Sequence, residues 1–323
     1  MRPRVLIAEP LDFSNEAVRL LETAAEVTLR PTDRAGLSQA LNEFDAVWFR
    51  LAHRFDRPML ESAKRCRVLA TPVTGLDHID LKVCAERGIR VVSLRGEFEF
   101  LQEIRATAEH TLALSLALLR RIPAAAQHVL GGGWNRDLFR GRELYGRTAG
   151  IVGVGRLGRI VAGCFRAFGM DVIGYDPRKD FPHAAARRVD SLNELLAQSD
   201  LVSLHVSYDD STRHLIGPAA FAAMRPGTVL INTSRGGVID DAALLEALET
   251  GHLAGAALDV LDGEPNIQAD HPLVEYARSH DNLLIVPHIG GNTIESFAKT
   301  EMFLAGRVLE ALSAVRIGET HAT

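Results

Sequence analysis

Three side chains suited to acid–base and carboxylate chemistry each follow a separate apolar run in the second half of the sequence. Arg235 ends TVLINTSR, Glu264 follows GAALDVLDG, and His288 ends LLIVPH. Arginine binds carboxylates through paired hydrogen bonds, histidine exchanges protons near neutral pH, and a carboxylate holds the histidine. Together they predict hydride transfer involving a 2-keto acid. An isolated arginine or histidine is more often structural, so the interpretation depends on what positions the three.

A glycine-rich turn opens the second half of the chain. GIVGVGRLGR places Gly153, Gly155 and Gly158 in the pattern G-x-G-x-x-G, between a strand-like and a helix-like run. Asp176 ends the next strand-like run, 21 residues after Gly155. This arrangement binds a dinucleotide, with the pyrophosphate at the helix N-terminus and the acid on the adenosine ribose. Asp176 repels a 2′-phosphate, so NAD is expected rather than NADP, and Arg178 is interpreted as a solvated neighbour.

The remaining sequence alternates between β-type and helical runs, which is the pattern of βαβ units and parallel sheets. Residues 106–122 are apolar almost all round and predict one long buried helix. Two doubly wound α/β halves are therefore expected. Their candidate strands are VLIA, AEVTL, AVWF, VLAT and RVVSL, then TAGIVGV, DVIGY, LVSLHV, TVLINTS, GAALDV and LLIVPH. Ligands bind beyond the carboxyl ends of such strands, which is where the three chemical side chains would lie.

The composition narrows the class of protein. A chain of 323 residues favours two domains, and 47% hydrophobic with 24% charged residues is ordinary for a soluble protein. A net charge of −5 without a lysine-rich block argues against nucleic acid as a partner. Neither a secretory signal nor a bilayer-spanning run is recognisable. Cys66, Cys84 and Cys164 stand singly and predict buried free thiols rather than metal ligands. A cytoplasmic protein with no metal site and no membrane partner is expected.

At these motifs the sequence resembles the D-2-hydroxyacid dehydrogenases. TAEHTLALSLALLR, GRELYGRTAGIVGVGRLGR, LVSLH, MRPGTVLINTSRGGVID, ALDV, EP and PHIGG follow one another in the family's order over nearly the whole chain. The resemblance implies a Rossmann NAD-binding domain over 106–295, inserted into a discontinuous flavodoxin-like substrate domain over 1–105 and 296–323. It also implies NAD-dependent conversion between a small-molecule 2-keto acid and its D-2-hydroxy acid, and a homodimer with the helix near 106–122 in its interface.

The resemblance assigns roles to individual residues. The catalytic set is Arg235, Glu264 and His288, and Asp259 holds the nicotinamide carboxamide. The implied cofactor contacts are Gly153, Gly155, Arg156, Leu157, Gly158, Asp176, His205, Thr212, Thr233, Ser234, Arg235, Asp259, His288 and Gly290. The implied substrate contacts are Arg50, Thr74, Gly75 and Arg235. Around Arg50 and Thr74 an ordinary strand–loop transition explains the sequence equally well.

Three departures from the family pattern stand out. The link GEFEFLQEIRATAE, residues 96–109, is several residues longer than usual and could reshape the cleft or the dimer contact. Ser207 stands where the family usually has proline. The sequence ends without room for the C-terminal regulatory domain of some phosphoglycerate dehydrogenases, so a short phosphoglycerate dehydrogenase-like form is expected.

The substrate and one alternative function stay open at the level of sequence. Glyoxylate, hydroxypyruvate and 3-phosphohydroxypyruvate all offer the carboxylate that Arg235 would bind, and Arg50 slightly favours the phosphorylated acid. Glu264 argues against a formate dehydrogenase, which has glutamine there, whereas a phosphite dehydrogenase keeps the same triad. An NAD-sensing, corepressor-like binding scaffold is the alternative from another class, and the intact triad argues against it.

Overall fold

Both predicted series of strands form, each as one parallel sheet. The computed structural model describes residues 2–321 and divides into two units, Met1–Leu101 with Thr293–Thr323 and Gln102–Asn292. The first unit contains β1 (Arg4–Ile7), β2 (Glu26–Leu29), β3 (Ala46–Trp48), β4 (Val68–Thr71) and β5 (Arg90–Ser93). The second unit contains β6 (Thr148–Val152), β7 (Asp171–Tyr175), β8 (Arg187–Arg188), β9 (Leu201–Leu204), β10 (Thr228–Asn232), β11 (Leu253–Leu258) and β12 (Leu283–Ile285).

Helices connect and cover the strands of both sheets. They are α1 (Asn15–Glu22), α2 (Arg34–Glu43), α3 (Arg57–Glu61), α4 (Leu81–Glu86), α5 (Ala106–Leu119), α6 (Ile122–Leu130), α7 (Arg156–Ala167), α8 (Leu192–Gln198), α9 (Pro218–Ala223), α10 (Asp241–Glu249), α11 (Pro272–Ser279) and α12 (Ile294–His321). Short 3₁₀ turns occupy Phe100–Glu103, Arg136–Phe139 and Gly236–Val238.

The first unit has the strand order β2-β1-β3-β4-β5, which is the flavodoxin-like order that the family resemblance implies. Its central strands are apolar on both faces, and Leu6, Val47 and Leu69 are fully buried. Helices α1 to α4 each begin at a serine or aspartate whose side chain accepts a backbone N–H of the first turn. The C-terminal helix α12 packs against α1 and completes this unit.

The second unit has the strand order β12-β11-β10-β9-β6-β7-β8, the doubly wound order of a Rossmann domain with one added strand. The order reverses between β6 and β9, so the crevice at their carboxyl ends is the expected dinucleotide site. The predicted α/β class is therefore confirmed. Strand β8 was not predicted, because two consecutive arginines at a sheet edge carry no apolar signal.

The predicted single helix over 106–122 is wrong in its extent. Helix α5 ends at Leu119, Arg121 adopts a left-handed backbone with φ of 53°, and α6 follows with Pro123 in its first turn. In one continuous helix Pro123 would have no N–H to donate to Leu119 and its ring would clash with that carbonyl, whereas the first turn of a new helix accepts proline. The apolar pattern of the sequence continued across this break and concealed it.

The lengthened segment 96–109 is anchored at its start within the first unit. Glu97 accepts a hydrogen bond from Arg307 of α12 at 3.0 Å, and the Phe100 ring stacks on Phe303 with centroids 4.0 Å apart. Glu97 and Phe100 therefore fasten this segment to α12.

The free cysteines match the prediction in part. Cys66 and Cys84 are buried and Cys164 is half-buried. Within residues 2–321, none of the helices combines the length and the apolar character that a membrane crossing requires.

Candidate active site

The structure brings His288 and Glu264 together beyond the carboxyl end of β12. His288 Nδ1 lies 2.6 Å from Glu264 Oε1, and both side chains are about three-quarters buried, with 24% and 28% exposed. The backbone of His288 is left-handed, with φ of 53°, which is uncommon for a residue other than glycine. This strained conformation is held by the hydrogen bond from its backbone N–H to the Asp259 carbonyl, at 2.7 Å.

Asp259 fixes the turn that carries His288. Its buried carboxylate accepts the backbone N–H groups of Ile289 at 2.7 Å and Gly290 at 2.9 Å. His110 Nε2, on α5, lies 3.1 Å from the same carboxylate. A Cβ at position 290 would come within 2.7 Å of Asp259 Oδ2, so glycine is required there.

Arg235 follows β10 and is positioned by a buried asparagine. Asn232 accepts the backbone N–H of Ser234 at 2.9 Å and its hydroxyl at 2.7 Å, and its Nδ2 donates to the Arg235 carbonyl at 2.9 Å. Asn232 is fully buried, so these bonds define the backbone of the turn. Sequence reasoning passed over Asn232 as part of an apolar strand.

Close packing requires both glycines that follow Arg235. A Cβ on Gly236 would lie 2.0 Å from the Leu261 carbonyl carbon, and one on Gly237 would lie 2.6 Å from the hydroxyl of Tyr208. The chain after Arg235 must therefore pass directly against the loop that leads to Glu264. Gly236 allows this contact with the loop before Glu264, and Gly237 allows the contact with Tyr208, in the loop after β9.

The three glycines of the turn after β6 play different parts. Gly153 has φ of +89°, and a Cβ there would lie 2.5 Å from the His205 carbonyl oxygen. A Cβ on Gly158 would lie 2.1 Å from the Gly153 carbonyl oxygen. At Gly155, the N-cap of α7, the nearest atom to a Cβ would be Arg178 Nη2 at 3.9 Å. Two glycines thus serve close packing, and the middle one leaves room for a pyrophosphate.

Asp176 lies at the end of β7, beside this turn, with 7% of its side chain exposed. Its carboxylate accepts the Val154 backbone N–H at 2.9 Å and two guanidinium bonds from Arg178, both 2.9 Å. Burial opposes ionisation, but the bonds from Arg178 and Val154 hold the pKa of Asp176 below its ordinary value. The interpretation of Arg178 as simply solvated is wrong.

The other predicted cofactor contacts surround the same crevice. Arg156 and Leu157 form the first turn of α7, where backbone N–H groups have no intrahelical acceptors. His205 follows β9, and its Nε2 lies 2.9 Å from the Ser203 hydroxyl. Burial lowers the pKa of His205 to about 3, so its ring is neutral.

Three hydroxyl side chains predicted to contact the cofactor already have partners. The Thr212 hydroxyl donates to the Ser207 carbonyl at 2.7 Å and so closes the loop that lacks the family's proline. Thr233 bonds the hydroxyl of Thr111 on α5 at 2.9 Å, and Ser234 bonds Asn232. These contacts fix the turn after β10 against α5.

The predicted substrate contacts Arg50, Thr74 and Gly75 lie in the first unit. Thr74 and Gly75 are in the loop after β4, and Thr74 is exposed. The Arg50 guanidinium bonds the fully buried Glu301 carboxylate at 2.6 Å and the Leu11 carbonyl at 2.9 Å. Arg50 therefore fastens α12 to the first unit, a role that sequence reasoning did not assign.

Comparison with known proteins identifies the family to which the chain belongs. Residues 112–290 match the family model described as D-isomer specific 2-hydroxyacid dehydrogenase, NAD binding domain. The chain belongs to the D-isomer specific 2-hydroxyacid dehydrogenase family. A hydroxypyruvate reductase of Thermotoga maritima is 35% identical over 316 residues, covering 96% of this chain and 99% of that protein.

Proteins with other names are also similar to this chain. A D-3-phosphoglycerate dehydrogenase of Methanocaldococcus jannaschii is 34% identical over 313 residues, 96% of this chain, which spans 57% of that relative's length. The crystal structure of D-lactate dehydrogenase from Aquifex aeolicus, complexed with NAD and lactic acid, superimposes with a TM-score of 0.83. It is 28% identical and covers 99% of this chain and 98% of its own.

The residues present fit NAD. Gly153, Gly155 and Gly158 shape a cradle in which a Cβ at Gly155 would have only Arg178 Nη2 near it, at 3.9 Å, and the first turn of α7 offers backbone donors to a pyrophosphate. Asp176 supplies the acid expected at the adenosine ribose.

Proposed function

We propose that this protein is an NAD-dependent dehydrogenase that interconverts a 2-keto acid and its D-2-hydroxy acid. The observation that carries the proposal is the 2.6 Å pair of His288 and Glu264, at the same sheet edge as Arg235. Strands β10, β11 and β12 are neighbours, so their carboxyl ends deliver the arginine and the acid–base pair to one place.

Each member of the triad has a defined task. When bound, NADH supplies the hydride that reduces the carbonyl carbon. Arg235 binds the substrate carboxylate with paired hydrogen bonds and sets the orientation of the carbonyl. His288 donates a proton to the carbonyl oxygen in reduction and accepts it back in oxidation, while Glu264 holds the ring and stabilises its charged form.

Among the substrates, we propose hydroxypyruvate and glyoxylate before 3-phosphohydroxypyruvate. One relative that matches this chain over nearly its own full length is a hydroxypyruvate reductase. Arg50, the residue that favoured a phosphorylated substrate, has its guanidinium bonded to Glu301 and stacked 4.2 Å over the Phe297 ring. A bond to phosphate would have to break a buried ion pair.

The test follows NADH oxidation with a panel of 2-keto acids that includes these three. The expected result is turnover of at least one of them, strongly lowered in His288→Ala with NADH binding retained. Phosphite added with NAD tests the phosphite dehydrogenase alternative directly. Tight NADH binding without turnover of any acid or of phosphite would favour the corepressor-like scaffold instead.

The proposal includes a homodimer located in the cytoplasm. A group of large apolar side chains on α6 and the segment after it is 47% to 89% exposed, namely Ile122, Val129, Leu130, Trp134 and Leu138. Beside them, Leu118, Pro123 and Leu284 line an open cavity of about 1250 Å³. A group of large exposed apolar side chains on one segment is typical of an interaction surface, and a second copy of the chain would cover it.

Analytical ultracentrifugation measures the oligomeric state of the protein. The double variant Leu130→Ser, Trp134→Ser should shift the protein from dimer to monomer. Leu11→Ser is the matched control, because Leu11 is 77% exposed and belongs to the first unit. A monomeric parent protein would refute the dimer.

A further inference from the structure

Arg178 occupies the face of Asp176 that a ribose needs. A carboxylate has about four acceptor positions on its two oxygens. In Asp176, Oδ1 accepts the backbone N–H of Arg178 at 3.0 Å and its Nε at 2.9 Å. Oδ2 accepts the Val154 N–H and Arg178 Nη2, both at 2.9 Å. All four positions are filled, two of them by one guanidinium.

The two backbone bonds are fixed by the fold, whereas the guanidinium is part of an exposed side chain that bonds Asp176 and, at 3.4 Å, the Val154 carbonyl. The Arg178 side chain is 49% exposed, whereas that of Asp176 is 7% exposed. The two hydroxyls of an adenosine ribose can therefore reach Asp176 by displacing the guanidinium. NADH binding then has to replace two charge-assisted hydrogen bonds, which are the strong kind.

NADPH meets the same pair differently. Its 2′-phosphate is repelled by Asp176, yet an arginine beside the ribose site offers the paired donors that a phosphate prefers. Arg178 Nη2 lies beside Gly155, the glycine that leaves room for the pyrophosphate. Arg188, which donates to the Arg178 carbonyl at 3.3 Å, adds a second cation nearby.

We propose that Arg178 determines the selectivity between NADH and NADPH by competing with the ribose diol for Asp176 and by binding a 2′-phosphate. The ion pair weakens the discrimination that Asp176 alone would impose. This inference rests on the dinucleotide binding of the proposed function but not on its substrate.

The experiment measures dissociation constants by calorimetry, for NADH and NADPH and for the fragments ADP-ribose and 2′-phospho-ADP-ribose. Arg178→Ala should tighten the unphosphorylated ligands and weaken the phosphorylated ones, so that the ratio of constants moves about tenfold or more towards NADH. Asp176→Ala should move the ratio in the opposite direction, because it releases Arg178 for the phosphate.

Lys179→Ala is the matched control. It removes the same charge one position further along, from an exposed side chain, and should leave the ratio nearly unchanged. If Arg178→Ala weakens all four ligands alike, or changes none, Arg178 does not set selectivity. A shift of equal size in Lys179→Ala would also overturn the proposal, since it would reduce the effect to net charge.

The experiment distinguishes the role of Arg178 from the proposed dehydrogenase activity. Selective dinucleotide binding without turnover of any 2-keto acid would reject the dehydrogenase activity and keep the role of Arg178. A parent protein that binds neither dinucleotide would reject both.

Discussion

Nδ1 of His288 lies 2.6 Å from Oε1 of Glu264, although the two residues are 24 positions apart in the chain. The bond uses one ring nitrogen, so Nε2 is the nitrogen left to exchange a proton with a substrate. Asp259 holds the turn after His288 through the backbone N–H groups of Ile289 and Gly290. The proton donor is therefore oriented from its side chain and from its backbone.

Glu264→Gln should shift the pH dependence of the reaction. Glutamine keeps a hydrogen bond to the ring but removes the charge that stabilises the imidazolium. Reduction needs protonated His288 and oxidation needs the neutral ring. In the variant, reduction should therefore fall at a lower pH than in the parent, and oxidation should persist further into acid. Steady-state kcat/KM against pH in both directions measures this.

The comparison variant is His288→Ala. It should lower the rate about 10²- to 10⁴-fold in both directions, and it should flatten the profiles rather than move them. If both limbs of the Glu264→Gln profile stay where they are in the parent, the two residues are not an acid–base unit.

Arg235→Lys should lower the efficiency of reduction about ten- to a hundredfold, mainly through KM. Lysine keeps the charge but cannot present two parallel donors to a carboxylate. The backbone turn set by Asn232 should survive, because it uses the Arg235 carbonyl and not its side chain. NADH affinity is the control and should change little. Normal turnover by the lysine variant would make Arg235 a structural residue.

The sequence predicted what depends on local pattern and missed what depends on distant packing. Strand periodicity and the spacing from Gly155 to Asp176 gave the two sheets and the dinucleotide turn, because both are local. His110 and Asp259 are 149 positions apart in the sequence. They come into contact only because α5 packs on β11. The bond from Arg50 to Glu301 likewise joins residues 251 positions apart. Neither partner could be chosen from its neighbours in the sequence.

Arg50→Met should destabilise the protein, because it leaves the carboxylate of Glu301 buried without its cation. Glu301 is fully buried, and its other oxygen accepts only the Ser14 N–H among the bonds seen in residues 2–321. Breaking one partner of such a pair costs about 3 kcal/mol of unfolding free energy. The double variant Arg50→Met, Glu301→Leu should recover much of that loss.

Urea unfolding measures the coupling free energy between Arg50 and Glu301. It compares the parent, both single variants and the double variant. Turnover below the unfolding transition separates this structural role from substrate binding. A large rise in KM with unchanged stability would instead identify Arg50 as a substrate contact.

His205→Gln should make the protein less sensitive to acid. Burial lowers the pKa of His205 to about 3 in the folded state, below the value of about 6.5 in an unfolded chain. Between these values the unfolded chain binds a proton that the folded protein does not, so stability falls as the pH drops through this window. From pH 7 to pH 5 this single residue should remove about 2 kcal/mol of unfolding free energy.

Glutamine does not titrate and can still bond Ser203, so urea unfolding of the variant should show a smaller loss over that range. His183→Gln is the control, because His183 is exposed. An equal acid sensitivity in the parent and in His205→Gln would mean that the His205 ring is protonated in the folded state as readily as in the unfolded chain.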